Sequence, residues 1–231
     1  MEPKPPSASR PIRSFVLRGG RITAAQLRAC AELWPRFGLS YEPVALNAEA
    51  VFGRRAPLVM EIGFGNGEYL AARAAAEPDH DFLGVEVHAP GVGHLLLAAA
   101  KLELRNLRVI RHDAVDVVRD QLSPGTLAEI QMLFPDPWPK KRHHKRRLIQ
   151  LPFVELLASR LIPGGLLHLA TDWEPYAEHM LAVLQSCAGL RNTAESGAYA
   201  MQSPARAATR FEQRGTRLGH SVRELTFCRR A

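Results

Sequence analysis

The chain has 231 residues and a formal net charge of +7, and 46% of its residues are hydrophobic. This length fits one α/β domain with a short extension, and the apolar fraction excludes wholesale disorder. No apolar run reaches the roughly 18–20 residues that a membrane span needs, and the N-terminal residues lack the apolar region of a secretory signal. Three widely spaced cysteines, Cys30, Cys187 and Cys228, argue against a disulfide framework or a structural zinc site and suit a reducing cytoplasm.

The N-terminal quarter of the chain divides into an arm and an extension. Residues 1–11 are rich in Pro and Ser, which predicts a disordered arm, and residues 12–56 form an extension ahead of a main domain at 57–231. Thr23 is the expected N-cap of a short helix that runs to about Trp34, with Pro35 and Gly38 ending it.

From residue 57 onward, short apolar runs alternate with helical segments. Strands are predicted at 58–62, 82–87, 107–110, 130–134 and 166–170, and helices at 68–77, 93–104, 114–121, 151–161 and 174–187. This β-α-β-α alternation predicts an α/β fold with a mostly parallel sheet that is covered by helices on both faces. A last strand at about 223–228 is expected to close the sheet as an antiparallel hairpin.

The turn after the first predicted strand contains Gly63, Gly65 and Gly67, with Glu61 just before them. Alternate glycines let the backbone bend tightly and approach a ligand closely. The G-x-G-x-G spacing differs from the G-x-G-x-x-G fingerprint of NAD(P)-dependent oxidoreductases. A carboxylate here repels a pyrophosphate and attracts a cation, so the turn favours S-adenosylmethionine over a dinucleotide.

Two further acids follow the next two strands at the same edge of the sheet. Glu86 is placed to accept hydrogen bonds from both ribose hydroxyls of an adenosine moiety. Asp113 is placed either to accept from the adenine amino group or to cap the helix that follows it, and both interpretations stay open.

The fourth predicted strand runs into a rigid acidic loop. Asp136 lies between Pro135 and Pro137, which restrict the backbone and hold the carboxylate at the carboxyl end of the sheet. Trp138 follows and can stack on a base or line a pocket. A Pro-rich turn with a capping Asp is the alternative, but the position favours a catalytic loop.

Positive charge is concentrated directly after this loop and at the N-terminus. Residues 140–147 contain six Lys and Arg residues and no acid, and residues 1–21 carry five cations against Glu2. Such a density predicts a polyanionic partner, most often a nucleic acid, and a solvated loop that only aids solubility is the alternative. His143 and His144 lack further ligands at suitable spacing, so no metal is expected and both are assigned to the RNA-facing surface.

Two segments near the C-terminus are further candidates. Asp172 follows the fifth strand and either belongs to the functional edge or caps the next helix. Residues 206–217 hold four arginines with Phe211 among them, which predicts a mobile loop that reaches over the site.

Motifs along the chain resemble those of bacterial tRNA (guanine-N7)-methyltransferases. The resemblance is carried by the Phe-Pro-Asp-Pro-Trp loop at 134–138, the basic run at 140–147, and residues 13–18, 61–65, 82–88, 170–179 and 209–215. It covers nearly the whole chain after about residue 12. It implies a class I (Rossmann-like) methyltransferase fold with a mostly parallel seven-stranded sheet, an antiparallel last strand and helices on both faces.

The same resemblance implies methyl transfer from S-adenosylmethionine to N7 of guanine 46 in the variable loop of tRNA. It places cofactor-binding acids on Glu61, Glu86 and Asp113, and its central acid, which serves catalysis and cofactor binding, on Asp136. Together with the basic run, it places substrate and RNA contacts on Lys140, Arg142, His143, His144, Lys145, Arg146, Arg147, Asp172, Thr209, Arg210, Phe211 and Glu212. No membrane and no obligate protein partner is expected.

Two departures from the family pattern and three rival functions remain. Pro139 lengthens the rigid stretch before the basic run, and Arg210 stands where a lysine is common. The rivals are a non-catalytic RNA-binding or chaperone protein, an NAD(P)-dependent oxidoreductase, and a methyltransferase that acts on another RNA or on a small molecule. The intact glycine turn and Asp136 oppose the first, and the basic run opposes a small-molecule substrate.

Overall fold

The computed structural model describes residues 13–15, 21–195, 198–200 and 221–231. Its helices are α1 (Ala24–Glu32), α2 (Trp34–Phe37), α3 (Ala48–Phe52), α4 (Glu68–Ala76), α5 (Ala89–Lys101), α6 (Ala114–Asp120), α7 (Leu151–Arg160) and α8 (Glu174–Ser186), with a 3₁₀ helix at Lys141–Arg146. Its strands are β1 (Gly38–Leu39), β2 (Leu58–Ile62), β3 (Asp81–Val85), β4 (Leu107–Ile110), β5 (Leu127–Leu133), β6 (Leu161–Thr171), β7 (Leu190–Asn192) and β8 (Arg223–Arg229). The predicted disordered arm at residues 1–11 lies outside the described ranges. None of the helices within those ranges has the length and apolar character that a bilayer crossing requires.

All strands of the described residues join one sheet in the order β1-β4-β3-β2-β5-β6-β8-β7. The strands from β1 to β6 pair in parallel, and β8 runs antiparallel to both β6 and β7. The mostly parallel sheet with an antiparallel last strand is therefore confirmed. The described residues form eight strands, because the two-residue β1 adds an edge beside β4.

The central strand β2 separates two hydrophobic cores. All five of its residues are buried, as expected for a parallel strand that is covered on both faces. Leu58, Met60 and Ile62 pack into the core on one face, and Val59 packs into the core on the other. Since side chains alternate along a strand, Glu61 lies on the Val59 side and is buried with it.

The strand order reverses at β2. This strand pairs with β3 on one side and with β5 on the other. In an open α/β sheet, ligands bind in the crevice outside the carboxyl ends of the strands at such a reversal. The turn after β2 and the loop after β5 therefore meet at one crevice.

Helix and strand boundaries differ from the prediction where proline is involved. The N-cap at Thr23 is confirmed, since its hydroxyl accepts a hydrogen bond from Gln26 N at 3.2 Å. Pro35 was expected to end this helix but lies in the first turn of α2, where the missing N–H costs nothing. Helix α5 likewise begins at Ala89 with Pro90 in its first turn, and β6 begins at Leu161, earlier than predicted.

Candidate active site

The glycine turn after β2 adopts a backbone that requires glycine. Gly63, Gly65 and Gly67 have φ angles of 73°, 58° and 72°, in the left-handed region that side chains disfavour. Helix α5 approaches this turn so closely that a Cβ on Gly91 would collide with the carbonyl oxygen of Gly65. The turn is thus held in one conformation, with little space between it and the helix behind it.

Glu86, just after β3, is hydrogen-bonded to the glycine turn. Its Oε2 accepts a hydrogen bond from Gly65 N at 2.9 Å, and its Oε1 accepts from Val87 N at 2.7 Å and from His88 N at 3.0 Å. Charge-assisted bonds of this kind are stronger than neutral ones. The Glu86 carboxylate therefore ties the glycine turn to the end of β3.

Glu61 is an acid without an evident structural purpose. The residue is 3% exposed, and its Oε2 is buried with no hydrogen-bond partner. Burial raises the pKa of Glu61 to about 8, the nearby carboxylates Glu86 and Glu129 add to this shift, and Arg73 opposes it. A buried carboxyl oxygen without a partner costs stability, so the site is suited to a ligand that supplies one.

These groups open into one cavity of about 620 Å³. Its lining includes all seven residues predicted to bind the cofactor, namely Glu61, Gly63, Gly65, Gly67, Glu86, Asp113 and Asp136. The cavity lies at the carboxyl ends of β2, β3, β4 and β5, at the reversal of the strand order. The structure therefore brings these seven residues together, although they come from four separate stretches of the chain.

Asp113 caps the helix that follows it, and its contact with an adenine amino group stays a prediction. It is the N-cap of α6, and its Oδ1 accepts a hydrogen bond from Val115 N at 3.1 Å. It also lines the cavity next to His112. A carboxylate has about four acceptor positions, so capping leaves it able to accept from a ligand.

The loop after β5 presents Asp136 at the mouth of the cavity. Asp136 is exposed, and the aromatic residues on either side of the Pro-Asp-Pro stretch have unusual backbones, with φ of 56° at Phe134 and 46° at Trp138. Bulky residues rarely adopt positive φ, and such strain persists only where the surroundings enforce it. This loop is therefore held in shape by contacts outside itself.

Trp138 links the loop to the N-terminal extension. Its Nε1 donates a hydrogen bond to Ser14 O at 3.1 Å, across 124 residues of sequence. Ser14 and Phe15 in turn line the cavity and form part of its wall. The described part of the N-terminal extension therefore contacts the body of the protein.

The basic run forms a 3₁₀ helix beside this loop. Lys140, Lys141, Arg142 and Lys145 are exposed, while His143, His144 and Arg146 are half-buried. The Arg146 guanidinium lies 5.0 Å from the centre of the Trp138 ring, and His143 meets the same ring edge-on. Partial burial and the surrounding cations lower the pKa of His143. Arg147 differs from the others, because it is buried.

The remaining predicted substrate residues fall into two groups. Asp172 is half-buried after β6, outside the cavity lining, and the N-cap of α8 is Trp173. Thr209, Arg210, Phe211 and Glu212 lie outside the described residues. Their predicted contacts stay predictions.

One feature of the cavity rim has no clear signal in the sequence. The rings of Tyr41 and His112 stack in parallel, with centroids 3.7 Å apart and an interplanar angle of 3°. The Tyr41 hydroxyl donates to Asp120 Oδ2 at 2.6 Å, and His112 lies 3.4 Å from Asp116. The stack depends on tertiary contacts between distant segments, so only His112, next to Asp113, could have been suspected.

In the described stretches, no group of three or more His, Cys, Asp or Glu side chains is arranged to hold a metal ion.

Similar solved structures identify the class of the fold. The 16S rRNA methyltransferase KamB matches with a TM-score of 0.57 at 17% identity, over 81% of this chain and 99% of that chain. The antibiotic-resistance methyltransferase Kmr matches with a TM-score of 0.55 at 18% identity, over 84% of this chain and 95% of that chain. The fold is that of a class I methyltransferase.

Sequence comparison narrows this class to a family. The family described as "Putative methyltransferase" matches residues 55–225. The tRNA (guanine-N(7)-)-methyltransferase of Thiobacillus denitrificans is 60% identical over 219 residues, covering 95% of this chain and 96% of the relative. The protein of the same name from Chromohalobacter salexigens is 54% identical over 230 residues, covering 97% and 94%. The chain belongs to the tRNA (guanine-N(7)-)-methyltransferase family, which confirms the resemblance of its motifs.

Proposed function

We propose that this protein transfers a methyl group from S-adenosylmethionine to N7 of guanine 46 in the variable loop of tRNA. One observation carries the proposal: the cavity that contains the predicted cofactor residues opens at Asp136, whose loop leads directly into the basic 3₁₀ helix. The relatives named above support the choice of reaction and of tRNA.

The residues that line the cavity fit the methyl donor. S-adenosylmethionine carries an ammonium and a sulfonium and no phosphate. The buried Oε2 of Glu61 has no hydrogen-bond partner, and the ammonium would donate a hydrogen bond to it. Glu86 accepts three backbone N–H bonds, which leaves about one of its four acceptor positions for a ribose hydroxyl. Asp113 would take the adenine amino group with the capacity that capping leaves. When bound, S-adenosylmethionine supplies a methyl group on a cationic sulfur.

The reaction requires positioning more than acid–base chemistry. Guanine N7 has an in-plane lone pair and no proton to remove at neutral pH. That lone pair forms the bond to the methyl carbon, while the electron pair of the broken carbon–sulfur bond stays on sulfur. The chain's task is to hold N7 in line with that bond and to limit water, for which Phe15 and Phe134 in the cavity wall are suited.

Asp136 acts where charge develops on the substrate. Positive charge builds on the guanine imidazole ring during transfer, and a fixed carboxylate at the cavity mouth stabilises it. The same carboxylate can instead accept hydrogen bonds from the base. Either role needs Asp136 to be held in place, and neither requires it to take a proton.

The basic helix binds the RNA backbone beside the reacting base. Only three residues separate Asp136 from Lys140, which limits the separation of the two to about 14 Å. A base at Asp136 and its neighbouring phosphates at the exposed cations can therefore be bound at once. Contacts to phosphates position the RNA and make its affinity depend on salt.

The direct test is to incubate the protein with labelled S-adenosylmethionine and unmodified tRNA and to map the methylated base. Label at N7 of guanine 46 supports the proposal, and label at another base or none on tRNA contradicts it. Asp136→Ala should lower turnover by at least about a hundredfold, as losses of electrostatic groups at reaction centres do. S-adenosylmethionine binding by this variant, measured by calorimetry, should largely survive.

A matched control sharpens this test. Asp79 is exposed before β3, at the opposite edge of the sheet, and Asp79→Ala should leave turnover at the wild-type level. Near wild-type turnover of Asp136→Ala would remove Asp136 from the reaction. A protein that binds tRNA but not S-adenosylmethionine would instead be a non-catalytic RNA-binding protein.

A further inference from the structure

Arg147 is chemically part of the basic run but structurally separate from it. It is 4% exposed, whereas Lys140, Lys141, Arg142 and Lys145 are exposed. A side chain with so little accessible surface cannot present its guanidinium to a phosphate without local rearrangement. The Arg147 guanidinium therefore interacts with other groups of the protein itself.

The Arg147 guanidinium joins three parts of the structure. Its Nε donates a hydrogen bond to Pro137 O at 3.0 Å, next to Asp136 in the chain. Its plane lies 4.9 Å from the centre of the Tyr176 ring, and its Nη2 lies 3.2 Å from Nε2 of His144. The loop, helix α8 and the 3₁₀ helix thus meet at one side chain.

The buried Tyr176 ring fixes the position of the Arg147 guanidinium. It is fully buried in the hydrophobic core, and its hydroxyl accepts a hydrogen bond from Ile149 N at 3.4 Å. Burial raises the pKa of Tyr176 to about 12, and the Arg147 guanidinium opposes this shift. Arg147 consequently extends from the core to the backbone that carries Asp136.

The two prolines limit the backbone hydrogen bonds that can fix this loop. Pro135 and Pro137 have no N–H, so their peptide groups can be held only through their carbonyl oxygens. The positive φ angles of Phe134 and Trp138 are strained, so removal of the contacts outside the loop favours its relaxation. The bond from Arg147 to Pro137 O opposes this relaxation at the residue next to Asp136.

We propose that Arg147 is a positioning residue for methyl transfer, which holds the Pro137 carbonyl and thereby Asp136, and that it is not a tRNA contact. The inference rests on the proposed function. It assigns two roles within the basic run. The exposed cations bind RNA, and the buried Arg147 guanidinium fixes the catalytic loop.

Arg147→Lys is the informative variant. Lysine keeps the charge but lacks the Nε–H and the planar face that stacks on an aromatic ring. We expect kcat to fall about tenfold to hundredfold, as displacements of about 1 Å at a reaction centre do. The tRNA KM, the slope of tRNA affinity against salt concentration, and the affinity for S-adenosylmethionine should stay at wild-type values. Arg147→Met, which keeps bulk without charge, should give the same pattern.

Arg142→Ala is the matched comparison, because Arg142 is an exposed member of the same run. Its tRNA affinity should fall and its salt slope should shrink by about one, the effect of losing one phosphate contact. A thermal melt of each variant establishes that the folded protein is being measured.

The outcomes separate the inference from the proposed function. A fall in kcat with unchanged tRNA KM and salt slope supports the inference. A rise in tRNA KM with a smaller salt slope and intact kcat makes Arg147 a phosphate contact and overturns it, and so does wild-type behaviour in every measurement. A wild-type protein that methylates no tRNA refutes the proposed function itself, while tRNA salt slopes still report whether Arg147 contacts phosphate.

Discussion

Glu61 is expected to make the affinity for S-adenosylmethionine depend on pH. The buried carboxyl has a pKa of about 8, so at pH 7 it is mostly neutral in the cofactor-free protein. The ammonium of the ligand is bound best by an ionised carboxylate, because an opposite charge favours the charged form. Binding at neutral pH should therefore release a proton, and Glu61→Gln should abolish that release.

The size of the effect follows from the pKa. At pH 7, about one unit below the pKa of Glu61, ionisation costs about 1.4 kcal/mol, which raises the dissociation constant roughly tenfold. At pH 6 the dissociation constant is raised about a hundredfold. The affinity for S-adenosylmethionine should therefore strengthen about tenfold between pH 6 and pH 7. The charges of Arg73, Glu86 and Glu129 act on Glu61 and are part of this environment.

Titration calorimetry in buffers of different ionisation enthalpy measures the released protons directly. We expect about 0.9 proton per bound ligand at pH 7 for the wild type and none for Glu61→Gln. Measurements should stay between pH 6 and pH 7, because an α-amino group such as that of the ligand titrates near 7.7–8.0. Exposed Glu32→Gln is the control and should release protons as the wild type does. Wild-type binding without proton release at pH 7 would refute the reasoning.

The cofactor-free protein offers an independent check of the same carboxyl. The unfolded chain loses the Glu61 proton near pH 4.5, whereas the folded protein keeps it until about pH 8. Stability falls with pH wherever the folded state binds more protons, so the contribution of Glu61 to the unfolding free energy should decline across this window. Glu61→Gln should flatten the dependence of the melting temperature on pH between these values.

Two further changes test the RNA surface and the glycine turn. Replacing Arg142, Lys145 and Arg146 by Ala together should weaken tRNA binding and reduce its salt slope by about two to three in filter-binding titrations, and an unchanged slope would locate the charge elsewhere. Gly91→Ala should lower stability by about 1–3 kcal/mol and weaken S-adenosylmethionine binding, because its Cβ displaces the glycine turn. Gly189→Ala is the control, since its Cβ would meet Ala158 at an ordinary 3.7 Å, and equal losses in both variants would contradict the argument.

The sequence was informative where burial and chain order decide the structure. Strand β2 is a short, mostly apolar run that is buried on both faces, and the glycines after it need left-handed backbones, so the strand, the turn and its edge of the sheet were predictable. The carboxyl ends of parallel strands share one edge, which brought Glu86, Asp113 and Asp136 to the same cavity as expected.

Long-range contacts account for most of what the sequence did not reveal. The two-residue strand β1 exists because β4 offers it a partner, and neither residue has strong strand propensity. Arg147 looks like any other cation of its run, and only the ring of Tyr176 and the carbonyl of Pro137 identify it as buried. The wall formed by Ser14 likewise depends on the Trp138 indole.

The proline content of the loop after β5 determines how its motion can be observed. Between Pro135 and Pro139, only Asp136 and Trp138 have a backbone N–H, so amide-based NMR sees two signals from the segment that carries Asp136. The Trp138 indole adds a third, and its proton lies in the hydrogen bond to Ser14 O. A single indole resonance therefore reports, without any label on RNA or cofactor, whether the loop and the N-terminal wall of the cavity are joined.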